Sequence, residues 1–114
     1  MILDIDQLKS DIKFSLSGIL QKDITTISGF SDRQLDGIAH QTSLIASGIA
    51  SGEITDATRD FFLDQLVELS HNFVKTLVGL VISTIEKLWN AIVSILWSAI
   101  SKVTGVQLPA FNLL

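Results

Sequence analysis

Two residue pairs have the types and spacing that metal chemistry requires. Glu68 and His71 lie three positions apart, and Asp36 and His40 lie four apart. On a helix, either spacing places both side chains on one face, and the Glu-x-x-His pattern is the one that di-iron carboxylate bundles use. The pairs raise the hypothesis of a ferritin-like, metal-binding bundle built on Glu68 and His71.

A solvated helix face is the competing interpretation of the same residues, and we favour it. Polar side chains recur along one side of the predicted helix, opposite its apolar positions: Asp60, Asp64, Glu68, His71 and Lys75. A di-iron site also needs Glu ligands on the facing helices, whereas the chain has only three Glu residues in total. We therefore expect no metal and no cofactor.

Histidine-based catalysis has only two candidate bases, His40 and His71. Neither stands beside a nucleophile in a turn, and the chain has no Gly-x-Ser-x-Gly, P-loop or Gly-x-Gly-x-x-Gly motif. These motifs are the ones whose spacing directly implies acyl-transfer, phosphate or dinucleotide chemistry. The sequence therefore predicts a protein that is not an enzyme.

The sequence has a smaller fraction of charged residues than a soluble domain usually has. Of 114 residues, 47% are hydrophobic and 18% charged, with a net charge of −4 and a mean hydropathy of +0.48. Soluble domains carry roughly 25% charged residues. This length suits one domain, so we predict a single helical domain over residues 1–114 that contacts either copies of itself or a membrane.

Charge is also unevenly distributed along the chain. Residues 1–72 hold five basic and eleven acidic side chains, whereas residues 73–114 hold three basic and one acidic. Nucleic-acid binding needs a clustered Lys/Arg face, so no nucleic-acid partner is expected. The chain has no Cys, and its first six residues lack the basic segment of a signal peptide. A cytoplasmic location is predicted, with membrane association as the alternative.

Apolar spacing predicts an all-α fold of three to four helices. Helix 1 is predicted over 1–22 and helix 2 over 31–51, joined by an irregular connector. Ser31 and Gln34 have the spacing of a capping box, with Phe30 and Leu35 as its hydrophobic staple.

A long helical region follows over 55–103. If residues 56–102 formed one helix, it would be about 70 Å long, whereas a compact domain of this size is about 35 Å across. The helix therefore breaks, near Gly79, or projects into a homo-oligomeric bundle. We expect the N-terminal helical pair to pack on its acidic stretch, 56–72.

The stretch 73–103 is apolar over most of its circumference, which indicates burial in protein or in lipid. The function predicted from it is a non-enzymatic structural or assembly protein that self-associates through this stretch. The predicted interface consists of Val74, Val78, Val81, Ile85, Leu88, Trp89, Ile92, Ile95, Leu96, Trp97 and Ala99. A buried helix of an ordinary monomer is the third interpretation.

A membrane-active or membrane-surface-binding protein that uses the same Trp-containing amphipathic helix is the second interpretation. A transmembrane span is disfavoured, because the longest uncharged runs, 76–85 and 88–101, have ten and fourteen residues and a span needs about 18 or more. The apolar tail, 104–114, is predicted to dock on a groove of its own subunit, of a neighbouring copy or of a protein partner.

Overall fold

The computed structural model describes residues 3–108, and these residues form an all-helical bundle. Its α-helices are α1 (Ile5–Leu20), α2 (Asp32–Ser51), α3 (Asp56–Lys75) and α4 (Ile82–Thr104), with a 3-10 turn at Ile24–Thr26 in the α1–α2 connector. No strand occurs within residues 3–108. The all-α prediction and the connector are confirmed. The tail beyond Leu108 lies outside the described residues, so its predicted docking stays a prediction.

Local hydrogen bonds define where the helices begin and end. The carboxylate of Asp4 accepts from the Gln7 amide at the start of α1, and the Ser31 hydroxyl accepts from the Gln34 amide at 3.1 Å. Each bond satisfies an amide that has no partner within its helix. The predicted N-cap of helix 2 is confirmed.

The predicted long helix is broken into α3 and α4, as its length required. The break spans residues 76–81, and Gly79 lies within it at φ +85°. An L-residue adopts this left-handed conformation only with strain, so the glycine suits the reversal of chain direction here. The prediction of a break near Gly79 is confirmed.

Connections at one end of the bundle are tied to each other. The Val78 amide donates to the Ser28 carbonyl at 2.8 Å, and the Thr76 hydroxyl donates to the Gly29 carbonyl at 3.1 Å. The α1–α2 and α3–α4 connections therefore lie side by side at one end of the bundle. This position agrees with four helices that run alternately up and down.

Two helices, α2 and α4, each pack against the other three. The N-terminal helix α1 packs on α4 and α2, so the expectation that the N-terminal pair rests on the acidic stretch 56–72 is wrong for α1. The break explains this, because it folds α4 back along α3 and presents a more apolar surface to α1. The bundle is flattened, with principal extents of 42 × 29 × 19 Å.

The apolar character of α4 follows from this central position. Its fully buried side chains are Leu88, Ile92, Val93, Leu96 and Ile100. A narrow polar ridge of α4 faces outward: Glu86, Ser94 and Ser98 are exposed, and Asn90 is half-buried. Within residues 3–108, helices α1, α2 and α3 bury much of the surface of α4.

An ion-pair cluster joins α1 to α2. Lys9 Nζ lies 3.2 Å from the Asp32 carboxylate and 3.3 Å from that of Asp36, and Lys13 Nζ lies 3.0 Å from Asp32. The hydrogen bond from Lys13, and then that from Lys9, lowers the pKa of Asp32 below its ordinary value. The hydrogen bond to Asp32 raises the pKa of Lys9, against the opposing effect of burial. The cluster fixes α1 alongside the start of α2.

Candidate interaction surfaces

The predicted interface residues fall into three groups in the folded chain. Val74, Leu88, Ile92 and Leu96 are buried in its own core. The half-buried members are Ile85, Trp89, Ile95, Trp97 and Ala99. Only Val78 and Val81 are largely exposed. The prediction that 73–103 pairs with other subunits stays a prediction, and the exposed and half-buried members are those available to a neighbour in this fold.

The first candidate surface is the apolar turn between α3 and α4, which we call the turn surface: Val78, Val81 and Ile82. Their exposed fractions are 62%, 66% and 75%. Leu77 beside them is buried and Leu80 is half-buried, so the turn is anchored while these three side chains point outward. Ile82 was not among the residues of the predicted interface.

The start of α4 at this turn has no side-chain cap. Val81 occupies the N-cap position and makes no capping hydrogen bond. Ser, Thr, Asp and Asn strongly prefer this position, and an apolar residue is disfavoured there. Local helix stability therefore does not account for a valine at Val81.

The second candidate surface is a groove between residues 3–15, which include most of α1, and the last half of α4, with a volume of about 510 Å³. Leu3, Leu8, Ile95, Ala99 and Val103 provide much of its apolar lining. Phe14 also lines it and is 84% exposed, the most exposed large apolar side chain of the described chain. The predicted interface did not include Phe14. The sequence could have indicated its exposure, because Phe14 lies off the apolar stripe that α1 buries.

A third apolar area lies on α2 and α3. Phe61 is 64% exposed and Leu69 39%, and both line a shallow depression together with Gln41 of α2. Leu44, also on α2, is 68% exposed. Acidic Asp64 and Glu68 line the same depression.

His71 and Trp89 form a stacked pair inside the bundle. Their ring centroids are 3.9 Å apart with an interplanar angle of 17°, and the indole Nε1 donates to the Val67 carbonyl at 3.0 Å. His71 is half-buried, so its assignment to a solvated face is wrong, whereas Asp60, Asp64, Glu68 and Lys75 are exposed as expected. The stack joins α3 to α4.

Neither candidate metal pair gains further ligands in the fold. Among residues 3–108, no three side chains of the types His, Cys, Asp and Glu come together as a metal site would require. His40 instead contacts Asp36 one turn away, with Nδ1 2.9 Å from its carbonyl oxygen. The described residues thus provide no support for the ferritin-like hypothesis.

None of the helices within residues 3–108 has the length and hydropathy needed to cross a membrane. In α4 the apolar sequence is interrupted by Glu86 and Lys87, both exposed. Comparison with protein families, with functionally described proteins and with solved structures gives no match to this chain. The surfaces described above are therefore the basis for a functional proposal.

Proposed function

We propose that this protein is a non-enzymatic structural subunit that self-associates through the exposed part of its 73–103 region, the turn surface. The observation that carries the proposal is the outward orientation of Val78, Val81 and Ile82 on an anchored turn. Contiguous exposed apolar side chains on a small protein mark interaction sites. Val81 at an uncapped helix start adds to this, because a polar residue would serve the isolated monomer better.

The energetics require a contact that extends beyond these three side chains. Complete burial of a Val or Ile side chain contributes about 1.5–3 kcal/mol, and these three are already partly buried. Association costs roughly 4–15 kcal/mol in lost freedom. The interface therefore includes the half-buried neighbours Leu80 and Ile85 as well.

Sedimentation equilibrium of the full chain at micromolar concentration tests the proposal. We expect an oligomer for the natural sequence and an assembly of lower mass for the double variant Val81→Ser/Ile82→Gln. Because serine caps α4, the same variant should raise the thermal stability of the monomer, by about 0.5–2 kcal/mol from the cap. A variant that lost assembly because it unfolded would not also show a gain in thermal stability.

Leu44→Ser is the matched control, since Leu44 is as exposed as the turn residues but lies on α2. It should leave the mass of the assembly unchanged. A natural chain that sediments as a monomer contradicts the proposal. So does an assembly that loses subunits with Leu44→Ser and keeps them with Val81→Ser/Ile82→Gln.

Membrane-surface binding through Trp89 and Trp97 is the alternative we proposed from sequence. Both indoles are half-buried, and Trp89 is held by its bond to Val67, so this mode requires α4 to leave the bundle. Anionic vesicles that shift the Trp emission to the blue would support the alternative, and unchanged emission would count against it.

A further inference from the structure

The groove between α1 and α4 has an apolar protrusion at its own border. Phe14 lines the groove and leaves 84% of its surface exposed. The groove volume of about 510 Å³ exceeds that of a single aromatic side chain. One face of the subunit therefore has both an apolar projection and an apolar depression large enough to receive one.

We propose that this groove is a two-fold dimer contact, in which Phe14 of each copy inserts into the α1–α4 groove of the other. The inference rests on the proposed function, since it assigns a second self-association surface to the same structural subunit. A two-fold contact uses one patch twice, so a residue that contacts a second position is contacted by its copy in return. An adjacent projection and depression meet that requirement.

The charged residues on the two walls of the groove also favour a two-fold contact. The α1 wall carries Asp4 and Asp11, and the α4 wall carries Lys102. Lys102 has no ion pair within residues 3–108. If a two-fold axis places α1 of one copy over α4 of the other, the acidic wall of each copy faces the basic wall of its partner. Electrostatic complementarity of this kind fixes the register of an interface.

The dimensions of the molecule allow a contact of standard area. Standard interfaces bury about 800 Å² on each partner, and the bundle measures 42 × 29 Å across its two longer axes. The flanks of the groove, including Gln7 and Ser98, would supply the polar rim. A second copy is thus the occupant that fits both the shape and the charges.

Mixing two charge variants of the full chain, each made together with Val81→Ser/Ile82→Gln so that the turn surface no longer contributes, tests the groove contact. Asp11→Lys and Lys102→Glu should each weaken the dimer when alone, because like charges then face each other across both halves of the contact. A mixture of the two variants should form the heterodimer, because each Asp11–Lys102 position is then occupied by opposite charges. A folding defect would not be repaired by mixing. Native mass spectrometry distinguishes the two homodimers from the heterodimer by mass.

A cross-linking experiment gives an independent readout, because the chain has no cysteine of its own. Ser15→Cys and Ser98→Cys place thiols on opposite walls of the groove. With a short thiol cross-linker, a mixture of these two variants should yield more unlike than like dimers. Ser47→Cys, on an exposed position of α2, is the control and should remain uncross-linked. Equal cross-linking of all three variants overturns the proposal.

The outcomes separate this inference from the proposed function. A monomeric natural chain overturns both. An assembly that depends on Val81 and Ile82 but does not respond to Phe14→Ser, Asp11→Lys or Lys102→Glu overturns the groove contact alone. If removal of residues 109–114 creates a groove dimer that the full chain lacks, those residues occupy the groove in the full chain, and the proposed two-copy contact is wrong for it.

Discussion

At Gly29 the backbone turns with φ +89°, and a Cβ atom placed there would overlap the carbonyl oxygen of Thr76. The overlap is with backbone at the end of another helix, so no side-chain rotation relieves it. This glycine lets the α1–α2 connection touch the end of α3. The hydrogen bonds from Thr76 and Val78 depend on that approach.

Gly29→Ala should therefore destabilise the fold more than Gly79→Ala. Gly79 has nearly the same φ, +85°, but no atom within 4 Å of its added Cβ, so it reports the conformational strain alone, about 1–2 kcal/mol. The overlap at Gly29 should add about 1–3 kcal/mol. Urea unfolding followed by circular dichroism measures both. Equal losses would show that the two connections do not touch in solution.

The Asp32 cluster gives a pH dependence with a definite sign. Because the folded pKa of Asp32 is lowered from 3.8, its stabilisation is present above that pH and is lost as the pH falls through the lower folded value. Asp32 is 55% exposed, which limits the contribution to less than about 1 kcal/mol. Asp32→Asn should thus flatten the decline of the urea midpoint at acidic pH.

Lys9 gives the complementary effect at alkaline pH. Its pKa is raised above 10.5, so its stabilisation is present below that pH and is lost as the pH rises through the folded value.

Asp60→Asn, at an exposed position on α3, is the control for the Asp32→Asn experiment at acidic pH. If it changes the acid limb as much as Asp32→Asn does, the cluster contributes nothing specific.

On the scale of elements, α4 explains why the apolar segment was so hard to interpret from sequence. A helix packed on three others is apolar over most of its circumference, and so is a helix buried between subunits. Spacing in multiples of four groups Glu86, Ser94 and Ser98 on one side of α4, and all three are exposed. Residue spacing could not identify the helices that pack on α4, because the same apolar positions would fit any apolar neighbour.

Ile92→Asp tests where α4 is covered. Ile92 is fully buried within the single chain, so an unpaired carboxylate there should cost about 3–5 kcal/mol, a large fraction of the stability of a small domain. We expect loss or marked lowering of the cooperative thermal transition. Ser94→Asp, on the exposed ridge of the same helix, should melt close to the natural protein. A folded, dissociated monomer with Ile92→Asp would instead place Ile92 between subunits.

On the scale of the whole molecule, local signals were sufficient for the elements and insufficient for their arrangement. Ser31 and Gln34 marked the start of α2, and Gly79 with the length argument marked the break between α3 and α4. The packing of α1 on α4 joins residues about 90 positions apart and is decided by the fit of all four helices together. For the same reason, the sequence did not show that Phe14 would border a groove, since the opposite wall comes from the other end of the chain.

The central position of α4 also has a consequence for the order in which the bundle can form. It is the last of the four helices to leave the ribosome, yet each of the others packs on it. Until α4 emerges, α1, α2 and α3 can cover one another only in part, so their apolar stripes stay accessible to chaperones or to neighbouring nascent chains. Completion of the core is thereby deferred until α4 has been synthesised, and until then the exposed apolar stripes favour association with other chains.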